Sequence, residues 1–345
     1  MTRKANSFPS ECVSNGFEIC HPFHTSWYNA KIQQEGLVAS GQLQCLPISS
    51  EAYLIGNTKS IWPIFCGWLV EQYHQYEIVQ KQDTVDSMNE GTAMTERKQD
   101  ANEAKILSLD KFVQVMKDPF DTFCEQQLTR IVQNHFQHCS CEIFWAHGGK
   151  KSCCGETCDT RDRSSKETGD FLVCMQRVAQ ASGLCWNDDE GTKLCVHPIF
   201  GTWIGQRAVV VVRKEEEKKK TPTKAPVPPI QIDCPVPPEE IKKAQRQMQV
   251  AIKLSAADGS GVDYGSLRMS ETAKSLGKYL HHSVCHGSDW SLLSPSMVAW
   301  IELRDCISLG RDRYKYSDPQ LLYHYTKDPM ILRQELLRCL SAPKS

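Results

Sequence analysis

The sequence predicts an α+β protein, because it holds one continuous β-branched run, Ala208 to Val212, together with several segments whose apolar residues recur at helical spacing. The run ends in Arg213-Lys214-Glu215 and falls far short of the roughly 18 apolar residues a membrane span needs, so it reads as a buried strand. Leu109 to Val115 reads as helix. Asp118-Pro119 supplies a helix start with proline at the first helical position, and Phe123, Leu128, Ile131, Val132 and Phe136 then follow near helical spacing. Glu142 to Trp145 is a short strand. Phe171 to Ser182 carries Phe171, Leu172, Met175, Val178 and Ala179 on one helical face and stops at Gly183. Leu194 to His197 and Trp203 to Val212 flank His197-Pro198-Ile199-Phe200-Gly201, which predicts two strands joined by a short Pro/Gly turn. Pro319 to Tyr325 and Met330 to Leu340 are amphipathic helices. No internal repeat is visible, which excludes solenoids and propellers.

The chain has 345 residues, with 40 Lys+Arg against 41 Asp+Glu and a net charge of -1. That balance provides no global basic field to draw it onto nucleic acid or an anionic membrane. The basic start, Met1 to Ser7, is followed by Pro9, Glu11 and Asn15 in place of an apolar signal segment, so a cytosolic location is expected. The 17 cysteines are then expected to be mostly reduced.

Four stretches are charged or rich in turn formers and read as surface insertions or linkers: Gln80 to Lys105, His147 to Asp170, Lys214 through the Pro-rich Thr221 to Pro229, and Ala256 to Ser275. The expected organisation is a core over 1–213 with insertions at about 80–105 and 147–170, a linker over 214–232, and a C-terminal part over 233–345 with an insertion at about 256–295.

His135, His138, Cys139, Cys141, His147, Cys153, Cys154 and Cys158 supply enough soft ligands for zinc, but not the paired Cys spacing of a structural zinc site. Ordinary reduced cysteines on a loop are the better reading, and no metal is expected. His281, His282 and His286 beside Cys285 likewise read as solvent-facing histidines. HExxH, GxxxxGK[ST] and GxSxG motifs are all absent. The segment Leu194 to Val211 is the densest in unusual residues. Arg207 lies there between a Gly-rich turn and the buried run, where a guanidinium is costly without an anion; a carboxylate or phosphate ligand and a salt bridge across the sheet are both open.

That segment resembles the signature of the cyanocobalamin reductase/alkylcobalamin dealkylase family, the methylmalonic aciduria and homocystinuria type C proteins, whose stretch reads Cys-Ile-His-Pro-x-Phe-Gly-Gly-Trp with an Arg before an apolar strand. Three other places resemble the family: Gly16-Phe17-Glu18-Ile19 through Pro22-Phe23 and Trp27-Tyr28-Asn29; Asp118-Pro119 with Asp121, Cys124 and Arg130-Ile131; and Arg304-Asp305 with Tyr316-Ser317 and Arg333. These matches occupy about half the chain, in the family's order.

The resemblance implies a nitroreductase-like fold, an antiparallel sheet flanked by helices. It implies a cytosolic enzyme and chaperone that binds cobalamin base-off and removes its upper ligand, by glutathione-dependent dealkylation or by flavin-dependent decyanation with FAD or FMN and a linked NADP. It assigns glutathione to Arg207, Arg304 and Arg333. It assigns the corrin to Phe171, Leu172, Val173, Cys174, Cys185, Trp186, Asn187, Cys195, Gln206 and Trp300. No protein nucleophile is implied, since glutathione supplies the thiolate. A homodimer is implied, as is hand-off to the type D cobalamin-trafficking protein and methionine synthase. Two features depart from the family. Met175 to Ala181 holds no His, leaving Gln176 or Gln180 in its place, and the aromatic run that follows is reduced to Trp186. A non-catalytic cobalamin carrier, or a flavin oxidoreductase without cobalamin, are the rival expectations.

Overall fold

The computed structural model describes residues 7–88, 101–147, 151–154, 172–189, 191–213, 226–258, 278–279, 281 and 287–342. In chain order the elements are α1 (Phe8–Ser14), β1 (Ile19–Phe23), α2 (Thr25–Gln34), β2 (Glu51–Asn57), α3 (Ile61–Met88), α4 (Ala101–Val115), α5 (Pro119–His135), β3 (Ser140–Trp145) and β4 (Lys151–Cys154). They continue with α6 (Met175–Ala181), β5 (Trp186–Asn187), β6 (Cys195–Val196), β7 (Gly205–Arg213), α7 (Pro238–Asp258), a 3-10 turn at Trp290–Leu292, α8 (Pro295–Asp305), α9 (Arg311–Tyr314), α10 (Asp318–Thr326) and α11 (Pro329–Ser341). The fold is mixed α+β, with an antiparallel sheet flanked by helices. Among the described residues, no helix is long and apolar enough to cross a membrane.

By its contacts the chain divides into two compact units, Met1–Ile61 with Cys124–Tyr316, and Trp62–Phe123 with Ser317–Ser345. The first unit holds the five-stranded sheet, ordered β1-β2-β7-β3-β4. β7 is central, with Glu51 of β2 opposite Val212 and Ser140 of β3 opposite Arg213. Its composition follows from that place. Val209 and Val211 join Phe23, Tyr28, Leu54, Phe144 and Val178 in one buried cluster, while Ala208, Val210 and Val212 point the other way and are also fully buried. A strand covered on both faces needs apolar residues without alternation, and the β-branched run meets that need. A second cluster gathers Val196, Val236, Leu303 and Ile307 with Trp186, Ile241 and Trp300, where α7 packs along α8.

The second unit is built on aromatic packing. Phe65 of α3 lies 5.0 Å from Phe120 and 5.6 Å from Phe123 of α5, and Trp62 lies 5.8 Å from Tyr323 of α10. Glu335 on α11 is 5% exposed; it accepts the Trp62 indole N–H at 3.1 Å and pairs with Arg338, so its buried charge is satisfied.

Several sequence expectations change. Leu194–His197 and β7 are not the two arms of a hairpin: β6 pairs with β5, and β7 inserts between β2 and β3. The Pro/Gly turn is real but closes only on itself, through a two-way backbone bridge between His197 and Gly201. The helix expected from Phe171 starts at Met175, with Cys174 extended at its N-cap (φ -82°, ψ 100°). The polar stretch Gln80 to Lys105 is helical at both ends, as α3 runs to Met88 and α4 starts at Ala101. α7 extends through Asp258, and the rest of the stretch to Ser275 lies outside the described residues, as do 214–225 and most of 147–170.

Candidate functional site

The site is built around the turn 197–201 and the start of β7. His197 N–H donates to the Gly201 carbonyl and Gly201 N–H donates back, both at 2.9 Å. The His197 ring accepts at Nδ1 from the backbone N–H groups of Ile199 (3.0 Å) and Phe200 (3.3 Å), which fixes its proton on Nε2. Phe200 stacks on that ring at 4.4 Å and meets Tyr314 edge-on at 4.7 Å. Burial first, then the nearby His21, lowers the His197 pKa from 6.5 to about 4.

Stability should therefore depend on acid in a defined window. An unfolded chain protonates this imidazole near pH 6.5 and the folded chain only near pH 4, so between them the unfolded state binds more protons and stability falls as pH drops. The loss should reach about 3 kcal/mol by pH 4, from 1.36 kcal/mol per pKa unit. Urea midpoints from pH 7 to 4.5 should fall more steeply for the native chain than for His197→Asn, whose amide oxygen can accept the same N–H groups without titrating. Parallel slopes would rule His197 out as the group responsible.

Beyond the turn, Trp203 is fully buried and the Arg304 guanidinium lies over its ring at 4.3 Å and over Tyr316 at 4.8 Å. Arg304 Nε and Nη2 donate to the Thr202 carbonyl at 3.1 and 2.7 Å, and the Thr202 hydroxyl donates to the Arg304 carbonyl at 3.0 Å. At the mouth of β7, Arg207 Nε donates to Asn57 Oδ1 at 2.6 Å, from an Asn57 that is fully buried and donates its own amide to the Thr58 carbonyl. Gly205 leaves room for this. A Cβ there would stand 2.8 Å from Arg207 Nη2 and 3.0 Å from Asn57 Oδ1. One position along, Gln206 Nε2 donates to Cys195 Sγ at 3.3 Å.

The residues expected at the corrin fall into groups. Cys185, Cys195 and Val173 pack on the cluster that holds Val209 and Val211, and Gln206 touches Cys195. Trp186 and Trp300 both pack on the Val196–Leu303 cluster, and Trp300 Nε1 donates to Ser255 Oγ at 2.8 Å. Asn187 donates to Asp189 at 2.6 Å, and the Cys174 N–H donates to the Tyr28 hydroxyl at 3.3 Å. Leu172 is exposed, and Phe171 lies outside the described residues. Arg207 and Arg304 belong to the first unit; Arg333 belongs to the second, where its guanidinium pairs with Asp110.

Two of the histidines weighed as metal ligands are held by carboxylates instead, His135 by Glu11 at 2.7 Å and His147 by Glu125 at 2.6 Å. Among the described residues, no group of three or more His, Cys, Asp or Glu could hold a metal. Cys153 and Cys154 lie on β4, opposite Glu142 and Cys141 in register, and Cys158 is outside the described residues.

Sequence reasoning passed over Asn57 and Asp189, and Tyr28 enters it only within the resembling Trp27-Tyr28-Asn29. Asp189 receives Arg177 and Gln180, each at 2.9 Å, and these, with Lys31, hold its pKa below the ordinary value against the burial that would raise it. The one signal for Asn57 was an amide ending an apolar strand. Beside α8 lies a cavity of about 440 Å³ lined by the cations Lys243, Lys278, Arg311 and Lys315 and the anions Glu302, Asp305 and Asp312. Lys315 pairs with Asp305 at 2.5 Å, and Arg311 donates to the Asp305 carbonyl at 2.9 Å.

No family model matches the chain, and no curated protein matches it. Among solved structures, the chain is similar to the crystal structure of a C. elegans B12-trafficking protein CblC, a human MMACHC homologue, with 15% identity and a TM-score of 0.47. The similarity covers 94% of this chain and 91% of that one.

Proposed function

We propose that this protein binds cobalamin base-off and removes its upper axial ligand with glutathione. The observation that carries this reading is the arrangement of the segment resembling the dealkylase signature: Cys195 and Gln206 touch, Cys185 shares their side of the fold, and Arg207 stands next to Gln206, braced by Asn57. In the reading, Val173, Cys174, Cys185, Trp186, Asn187, Cys195, Gln206 and Trp300 contribute to the corrin wall, a mostly apolar surface with a few amides.

Glutathione carries two carboxylates and one ammonium, and the charged cavity beside α8 offers cations for the first and Glu302 and Asp305 for the second. Arg304, adjacent in sequence to Asp305, and Arg207 are the arginines we assign to glutathione in the first unit; Arg333 is the third that the resemblance names. The dealkylation balances simply. The glutathione sulfur bonds to the alkyl carbon, the Co–C bond breaks, and its electron pair stays on cobalt, giving a thioether and cob(I)alamin. The protein's share is orientation and stabilisation of the thiolate by fixed cations.

Reductive decyanation, a nitroreductase-like fold, a homodimer, a cytosolic setting and hand-off to the type D trafficking protein and methionine synthase accompany the proposal as its wider frame. The charged cavity does not fit a flavin, since its lining provides no apolar wall for the isoalloxazine ring.

The test is a visible absorption titration of the purified full chain with methylcobalamin, followed by glutathione under anaerobic conditions. A base-off spectrum should appear first and a cob(I)alamin spectrum second. Arg207→Ala should keep the first change and slow the second by at least about tenfold, the equivalent of one lost charge-assisted hydrogen bond. A base-off shift without any glutathione response would leave a carrier. Absence of the shift would overturn the cobalamin assignment.

A further inference from the structure

β5 and β6 form a two-stranded antiparallel ribbon in which Trp186 faces Val196 and Asn187 faces Cys195. Strand alternation puts residues 185, 187, 195 and 197 on one side of that ribbon, so Cys185 and Cys195 stand on a diagonal of the same face. The two thiols are close enough to interact, and neither is in a disulfide. The two sulfurs differ in setting. Cys185 is 1% exposed within the apolar cluster, whereas Cys195 is partly exposed and its Sγ accepts the Gln206 amide N–H at 3.3 Å. The Gln206 donor fixes the position of the Cys195 sulfur, and partial exposure admits a reagent; a buried neighbour can attack only what its partner has captured.

We propose that Cys195 and Cys185 form a thiol–disulfide exchange site for low-molecular-weight disulfides, with Cys195 as the attacking thiol and Cys185 as the resolving thiol. Cys195 loses its proton and its sulfur attacks one sulfur of the small disulfide, whose other half leaves as thiolate and takes up that proton. Cys185 then attacks Cys195 Sγ in the mixed disulfide, the second small thiolate leaves, and it takes the Cys185 proton. Two protein thiols are oxidised to one disulfide, and one small disulfide is reduced to two thiols. The hydrogen bond from Cys195, and then burial, raise the Cys185 pKa well above the ordinary thiol range, which keeps this sulfur protonated while Cys195 reacts. The site goes beyond the cobalamin reading and does not rest on it.

The experiment treats the reduced full chain with oxidised glutathione, blocks remaining thiols, and maps the cysteines by mass spectrometry of peptides. A Cys185–Cys195 link, two hydrogens lighter, is expected in the native chain. Cys185→Ser should instead accumulate a glutathione adduct on Cys195, Cys195→Ser should leave Cys185 unmodified, and Gln206→Leu should slow the Cys195 reaction several-fold with an unchanged circular dichroism spectrum. If Cys195 stays unmodified while the exposed Cys234 acquires glutathione, the attacking role is overturned. An adduct on Cys195 in the native chain that never closes onto Cys185 overturns the resolving role.

Discussion

Gly201→Ala should cost upward of about 4 kcal/mol, a loss that only a few mechanisms reach. Gly201 has φ +59°, where a side chain is disfavoured by about 1–2 kcal/mol before any contact is counted. The contact is the larger part. A Cβ built on Gly201 would stand 1.8 Å from the Leu309 carbonyl oxygen and 2.9 Å from its carbon, and backbone atoms cannot turn aside as a flexible side chain can. Relief requires the loop at Leu309 to part from the turn, and with it the stacking of His197, Phe200 and Tyr314. Against a typical total stability of about 5–15 kcal/mol, such a loss leaves little margin. The measurement is the urea midpoint by far-ultraviolet circular dichroism, beside soluble yield. A shift worth less than about 1 kcal/mol would mean that the turn and the Leu309 loop separate freely. Because Gly201 lies inside the segment that resembles the dealkylase signature, loss of activity in this variant would report a collapsed turn, not a missing ligand contact.

What could be read from sequence were the features that depend on near neighbours. The strand Ala208 to Val212, the helix after Asp118-Pro119, the stop at Gly183 and the two C-terminal helices all carry local signals, and each is present. The hairpin expectation went astray because its signal was local and its answer was not. Pro198 and Gly201 do mark a turn, but β7 finds its partners about 150 residues upstream in β2 and about 65 upstream in β3, pairings that leave no mark in a sequence window. The helical ends of Gln80 to Lys105 read as a surface insertion because charge-rich sequence without a clear apolar stripe looks the same in a helix as in a loop. The compositional borders at 213 and 233 describe where the chain becomes polar. The contact-based units instead join Trp62–Phe123 to the last two helices, through aromatic contacts such as Trp62 with Tyr323.

The candidate site was legible to a similar degree. Arg207 carries two readings, an anion ligand or a salt bridge across the sheet, and one partner that holds it is the amide oxygen of Asn57, which accepts from its Nε. Cys195 and Gln206 were assigned separately by resemblance, and the direct hydrogen bond between them follows only from the way β6 and β7 pass each other.

Trp203 yields the second large effect and ties stability to the arginine assigned to glutathione. Its indole is fully buried, with Tyr316 edge-on at 5.6 Å, Arg304 over the ring at 4.3 Å and Lys315 at 5.4 Å. Trp203→Ala should lose about 3–5 kcal/mol through the cavity it opens, and about 0.5–2 kcal/mol more through the lost cation–π contacts. Trp203→Phe separates the contributions. It keeps an aromatic face for both cations and removes an indole N–H that has no hydrogen-bond acceptor among the described residues, so part of the lost packing is offset by the end of an unsatisfied burial. Its expected cost is under about 1.5 kcal/mol, near that of a conservative core swap. Urea midpoints of the two variants decide the matter: equal losses would mean that a phenyl ring at position 203 neither fills the space nor serves Arg304 as a face. Where both variants fold, the half-saturating glutathione concentration gives a second readout. Arg304 is aligned by the Trp203 face, the Tyr316 face and the Thr202 carbonyl, so removing one face should raise that concentration in Trp203→Ala and leave it nearly unchanged in Trp203→Phe.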